Sequence, residues 1–170
     1  GDERRSLGGG VNENNNKKQV AVRIPAWCKN FTADKKYCEK NGYAYFDLAQ
    51  GTNEITVNFN MQIVFVKANR KTHVNAGKVA VMRGPVVYCI EGVDNGEDIH
   101  SISLGDVKNF ALAQKEFIVP SIEGEGFIEK ETQDLYFVDD GEKEEKHIKL
   151  IPYFADANRG EPDMLVGINK

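Results

Sequence analysis

The chain has 170 residues and a mass of 19.0 kDa, room for one ordinary domain or two small ones. Its 41% hydrophobic and 28% charged residues exclude a disordered chain, which could not bury enough apolar surface to offset its ordering entropy. A formal net charge of −4 and a pI ≈ 5.5 leave no basic face for counterion release, and no apolar run approaches the ~20 residues of a membrane span, so neither nucleic acid nor a bilayer is an expected partner.

Residues 1–17 hold a triple glycine and the polar run NENNNKK, which predict a flexible tail. From Lys18 onward, short segments alternate apolar and polar residues with a period of two. QVAVRIP sets Val20, Val22 and Ile24 against Ala21 and Arg23, and YAYFDL and EITVNF repeat the pattern, so each predicts a half-buried strand. IVFV (63–66), KVAVMR (78–83) and VVYCIE (86–91) are denser in apolar residues and predict strands near the middle of a sandwich, with Pro85 separating the last two. Asn41-Gly42, Asn95-Gly96 and Asp140-Gly141 supply the dipeptides that tolerate positive φ, and predict hairpin turns. Helical spacing is sustained nowhere; ALAQKEF comes nearest and is short.

After Asn95 the character changes. SIEGEGFIEKETQD is rich in Gly and Glu, GEKEEK reads as a solvated loop of mixed charge, and HIKLIPYF and DMLVGI restore the alternation. The expected fold is all-β: an antiparallel, jelly-roll-like β-sandwich with a second, smaller β module inserted. Residues 18–98 and 149–170 form the first sandwich, the closing segment returning to pair with the opening one, and residues 99–148 form the second module or excursion.

Chemistry-bearing residues are sparse. Cys28, Cys38 and Cys89 are odd in number and lack C-x-x-C spacing, and His73, His100 and His147 stand far apart. No metal site follows. Structural thiols are expected, and unpaired cysteines in a soluble chain favour a reducing compartment such as the cytoplasm.

Three segments, RIPAWCKN (23–30), GKVAVMRGPVVYCIEGVDN (77–95) and IPYFADANRGEPDM (151–164), in this order and at this spacing, resemble the C-terminal β-sandwich region of glycoside hydrolase family 127, the β-L-arabinofuranosidase-like proteins. KNGY (40–43) and NFNM (58–61) look like that family's intermediate strands, so the resemblance spans residues 18–170. Asp156 stands where members often carry Trp, and GTNEI (51–55) replaces a more usual Gly-Asp turn. The resemblance implies a longer parent with a helical (α/α)-barrel, in which a zinc-bound cysteine thiolate is the nucleophile and a glutamate the acid/base, all placed before the RIPAWC segment. It implies further that Cys28, Cys38 and Cys89 inherit no catalytic role and that this chain carries no cofactor of its own. The implied partner is the barrel of its own polypeptide, and a homodimer is the other arrangement left open.

Trp27, close after Pro25 at a strand end, could stack on a sugar ring, although core or domain packing is the commoner duty of such a residue. Arg159, in the Asn158-Arg159-Gly160 turn, could clamp a carboxylate of another domain, with a corner salt bridge as its plainer role. Glycoside hydrolysis ordinarily takes two carboxylates ~5–9.5 Å apart. Glu91 with Asp94, Asp139 with Asp140, and Glu161 with Asp163 are the near neighbours, all in turn-like stretches where acidic residues serve local ends. No catalytic residue is assigned. The sequence therefore reads as a non-catalytic accessory β-sandwich that supports an absent barrel or a dimer and bares an apolar docking face, with Trp27 a candidate for that face. The alternative is an independent carbohydrate-binding module, which needs a groove of exposed aromatics; a self-contained enzyme would need a nucleophile with its base.

Overall fold

The computed structural model describes residues 18–49, 51, 53–69, 71, 75–113, 115–129, 142–155 and 163–170. The chain divides into two compact units, Gly1–Asn60 and Met61–Lys170. The predicted tail and the Asp140-Gly141 turn lie outside the described residues.

The first unit contains β1 (Lys18–Arg23), β2 (Phe31–Ala33), β3 (Cys38–Lys40), β4 (Tyr43–Leu48) and β5 (Val57–Phe59). β1 and β3 flank β4 antiparallel, with Val20 opposite Phe46 and Cys38 opposite Tyr45, while β2 pairs with β5. The alternation in YAYFDL decides the packing. Ala44, Phe46 and Leu48 are buried and meet Val22, Phe31, Tyr37 and Val57, so residues of both sheets enclose one core, whereas Tyr43 and Asp47 face out. The β3–β4 hairpin closes where expected: Asn41 (φ 51) and Gly42 (φ 76) separate the paired Lys40 and Tyr43. Two successive positive φ values match the twist of the flanking strands, which is why Asn-Gly serves here.

The second unit contains β6 (Ile63–Lys67), β7 (Lys78–Arg83), β8 (Val86–Glu91), the short α1 (Gly92–Asn95), β9 (Ile102–Leu104), β10 (Ala111–Leu112), β11 (Ile122–Glu129), β12 (Lys143–Pro152), β13 (Met164–Leu165) and β14 (Ile168–Asn169). The pairing closes on itself. β7 pairs with β8, β8 with β12, β12 with β11, β11 with β9, β9 with β14, and β14 with β7 again. β6, β13 and β10 extend outward from β7, β8 and β11. Every ring strand sends a side chain inward: Val81, Tyr88, Ile102, Ile122, Leu150 and Ile168 belong to one buried cluster. Each such burial contributes ~1.5–3 kcal/mol. β11 faces the same core with Gly124 and Gly126. A Cβ on Gly124 would run into the Phe110 ring, and one on Gly126 into Ile148 and the Ser103 carbonyl.

The fold is all-β, as the alternation predicts, but its partition differs from the sequence-based one. β9, β11 and β12 lie in the same closed sheet as β7 and β8, so these strands of residues 99–148 share that sheet and do not form one of their own. The closing segment pairs with residues 78–91, setting Ile151 opposite Cys89, Leu165 opposite Ile90 and Ile168 opposite Val79. Residues 143–146 of GEKEEK begin β12 because β11 offers a complete ladder opposite them. Asn95-Gly96 ends α1 and is no hairpin turn: Gly96, at φ 89, donates its N–H to the Gly92 carbonyl. Among the described residues IVFV is an edge strand, with Val64 and Val66 43% and 44% exposed.

Candidate functional site

Within the first unit Trp27 is half-buried, its ring tilted against Phe59 at 6.2 Å between centroids. Phe59 in turn lies 5.4 Å from Phe31, and Phe31 lies 5.2 Å from Tyr37. Trp27 thus joins an aromatic packing cluster with Phe59, Phe31 and Tyr37. Cys28, next to it, is buried, and its N–H donates to the Pro25 carbonyl at 2.9 Å. Arg159, His73, Asp139, Asp140, Asp156 and Glu161 lie outside the described residues.

Glu91 is buried at 1% exposure on β8. Asp94 faces the Lys149 ammonium at 3.6 Å, and Lys149 also takes both oxygens of Glu116 at 2.8 and 3.0 Å. His147 stands on the outer face of β12 between two carboxylates, Nδ1 3.1 Å from Glu125 and Nε2 3.5 Å from Glu123. Sequence reasoning missed this cross-strand cluster because Glu123 and Glu125 lie in the Gly- and Glu-rich SIEGEGFIE, whose pairing with HIKL the sequence does not reveal. The group is open to water, and Lys149 is held by its own carboxylates, so nothing here shields or positions a nucleophile. His100 is exposed, its backbone carbonyl accepting from Asn169 at 2.9 Å. Among the described residues no three His, Cys, Asp or Glu side chains converge as metal ligands. Cys89 is buried with Ile151 and Ala155, its thiol 3.7 Å from the Ile151 carbonyl. The described residues therefore offer no donor set for the zinc that the family resemblance implies. A cavity of ≈ 270 Å³ is lined by Lys67, Asn69, Asn75, Lys78 and Lys170 among others. Lysines and amides alone supply no acid–base pair for glycoside hydrolysis.

The feature that stands out is apolar. The outer face of the β6–β7–β8 stretch carries a cross-strand row, Val64 opposite Met82 and Met82 opposite Val87, with Val66 opposite Ala80 beside it. Val64 and Val66 are exposed and Met82, Val87 and Ala80 half-buried, while Ile63 and Phe65 on the other face of β6 pack onto the core. β6 is also the end of its sheet path among the described residues. Exposed aliphatic side chains gain by leaving water, and the unpaired N–H and C=O groups of a sheet edge can pair with a further strand. No helix of the described residues is long and apolar enough to cross a membrane.

Comparison with known proteins gives a consistent result. The sequence model of the glycoside hydrolase family 127 C-terminal domain matches residues 63–169, which begin at β6 and fall within the second unit. A non-reducing end β-L-arabinofuranosidase of Bifidobacterium longum subsp. longum is 32% identical over 166 residues, covering 87% of this chain and 25% of the relative. The crystal structure of a GH127 β-L-arabinofuranosidase from Geobacillus stearothermophilus T6 superposes with a TM-score of 0.76 at 30% identity, over 90% of this chain and 26% of that one. A structure of a GH127 β-arabinofuranosidase gives a TM-score of 0.72 at 26% identity, over 90% of this chain and 28% of the other. The chain thus spans about a quarter of the length of the curated relative it matches.

Proposed function

Since the chain belongs to glycoside hydrolase family 127, whose C-terminal domain it carries over residues 63–169, we propose that it is a non-catalytic accessory region of a longer hydrolase, docking through the outer β6–β7–β8 face onto the catalytic part. The carrying observation is the aliphatic row Val64–Met82–Val87, with Val66 beside it, exposed on an open sheet edge. Interdomain contacts within a chain bury about 600–1,500 Å², and a face of this chemistry suits such a contact better than it suits water. The companion is the helical barrel that the family resemblance implies, the activity of the whole is hydrolysis of β-L-arabinofuranosides, and a second copy of the chain is the competing occupant of the same face.

Two measurements test this. The 170-residue chain alone is expected to release no aglycone from an aryl β-L-arabinofuranoside; turnover abolished by changing one of its own carboxylates overturns the non-catalytic assignment. Val64→Lys with Val66→Lys is expected to abolish association with the separately produced catalytic part, followed by analytical ultracentrifugation. Unchanged association refutes this face as the docking surface.

A further inference from the structure

The outward face of the first unit's three-stranded sheet bears a second surface, independent of the docking face. Tyr43 and Tyr45 stand two residues apart on β4 and so share a face, their ring centroids 6.3 Å apart and tilted by 42°. Register fixes what flanks them. Tyr43 lies between Arg23 of β1 and Lys40 of β3, and Tyr45 lies between Ala21 and Cys38. The next position along β4 is Asp47, opposite Gln19, whose amide donates to its carboxylate at 3.0 Å. Tyr43 and these flanking residues are exposed and Tyr45 is half-buried. The small side chains beside Tyr45 leave its ring as the floor of a shallow strip, with a cation on each side of Tyr43 at one end and an amide–carboxylate pair at the other.

This arrangement has a defined chemical complement. Aromatic faces stack on the C–H faces of sugar rings, and polar groups beside them fix hydroxyls. Arg23 and Lys40 add two positive charges that nothing on that row of the sheet neutralises, while Gln19 engages Asp47 at the far end. A guanidinium and an ammonium placed this way select carboxylates. The geometry points to a binding strip for an oligosaccharide that carries uronate residues, two consecutive rings lying on Tyr45 and Tyr43 and a uronate carboxylate held between Arg23 and Lys40. The sequence alternative of a carbohydrate-binding module is thereby attached to Tyr43 and Tyr45 in place of Trp27, and it stands or falls separately from the docking role of the second unit.

Oligogalacturonide is the probe, with an uncharged arabino-oligosaccharide of equal length as comparator, both titrated calorimetrically against the 170-residue chain at low ionic strength. Saturable binding of the uronate oligomer is expected, at least tenfold tighter than that of the neutral one. Tyr43→Ala and Tyr45→Ala are each expected to weaken it at least tenfold, and Arg23→Gln with Lys40→Gln to remove the preference for the charged oligomer. Amide chemical-shift changes in the unsubstituted chain, expected on β1, β3 and β4, supply a readout that does not depend on a variant folding. Failure of the uronate oligomer to bind, equal affinity for the neutral oligomer, or shift changes confined to the second unit would each overturn the assignment.

Discussion

The Tyr88 hydroxyl is buried in the ring's core and donates to the Pro120 carbonyl at 2.9 Å. Tyr88→Phe leaves that carbonyl without its donor and is expected to lower stability by about 1 kcal/mol near neutral pH, read from urea unfolding. Burial pushes the ionisation of Tyr88 above its ordinary value of 10.0, with the nearby Arg83 charge and hydrogen bond pulling the other way. Because the folded-state value is raised, the unfolded chain loses this proton first. The stabilisation is complete below pH 10 and is lost as pH climbs through the raised value. The advantage of the unsubstituted chain over Tyr88→Phe is therefore expected to shrink in denaturation series above pH 10, and a constant difference would count against the coupling. Gly126→Ala tests the opposite kind of crowding. A methyl there meets Ile148 and the Ser103 carbonyl, and overpacking of this sort costs about 1–3 kcal/mol, a fall of several degrees in the thermal midpoint.

The Asn95 amide ties α1 to the sheet. Asn95 accepts the Lys149 N–H at 2.9 Å and donates to the Lys149 and Glu91 carbonyls at 2.9 and 3.0 Å, so its side chain mimics a neighbouring strand for one residue of β12. Asn95→Ala leaves those backbone groups without partners and is expected to cost about 1–3 kcal/mol. Asn95→Asp should cost more, since it sets a charge against two carbonyls. Chemical denaturation of both variants checks the order, and equal losses would show that donation by the amide contributes little. This buried role explains why Asn95-Gly96 is no hairpin turn although its sequence suggests one: local chemistry favours a reversal, and the tertiary bond to β12 keeps the amide inside. YAYFDL, KVAVMR and HIKL were legible because burial on one face imposes a period of two. SIEGEGFIE was not, because glycine signals looseness in a sequence, whereas in β11 it marks where Phe110 and Ile148 fill the interior in its place.

Across the whole second unit, the ring is sealed by a very short strand. Ile168 is 1% exposed and faces Val79, while Asn169 faces both Lys78 and Ser103. Ile168→Ala is expected to destabilise by about 2–5 kcal/mol and to raise amide hydrogen exchange first in β7 and β9, the two strands that lose their seal. Uniform acceleration over all strands would instead indicate global unfolding alone. Closure of this kind is invisible in a sequence, since it depends on which distant strands meet. For the same reason IVFV resembled a central strand: its inner face is a core face, and nothing local reveals that Val64 and Val66 lack a cover. The Tyr43–Tyr45 strip was hidden differently, because alternating aromatics suit a core as well as a ligand and only the buried Ala44 and Phe46 show which face looks out. The late position of β14 also sets a timetable. During synthesis β7 and β9 emerge well before the residues that will join them, so a growing chain carries two unsatisfied strand margins until β14 is made. A cell producing this protein must protect those margins through that interval, and a ribosome stalled ahead of Ile168 would leave a nascent chain primed to pair with its neighbours.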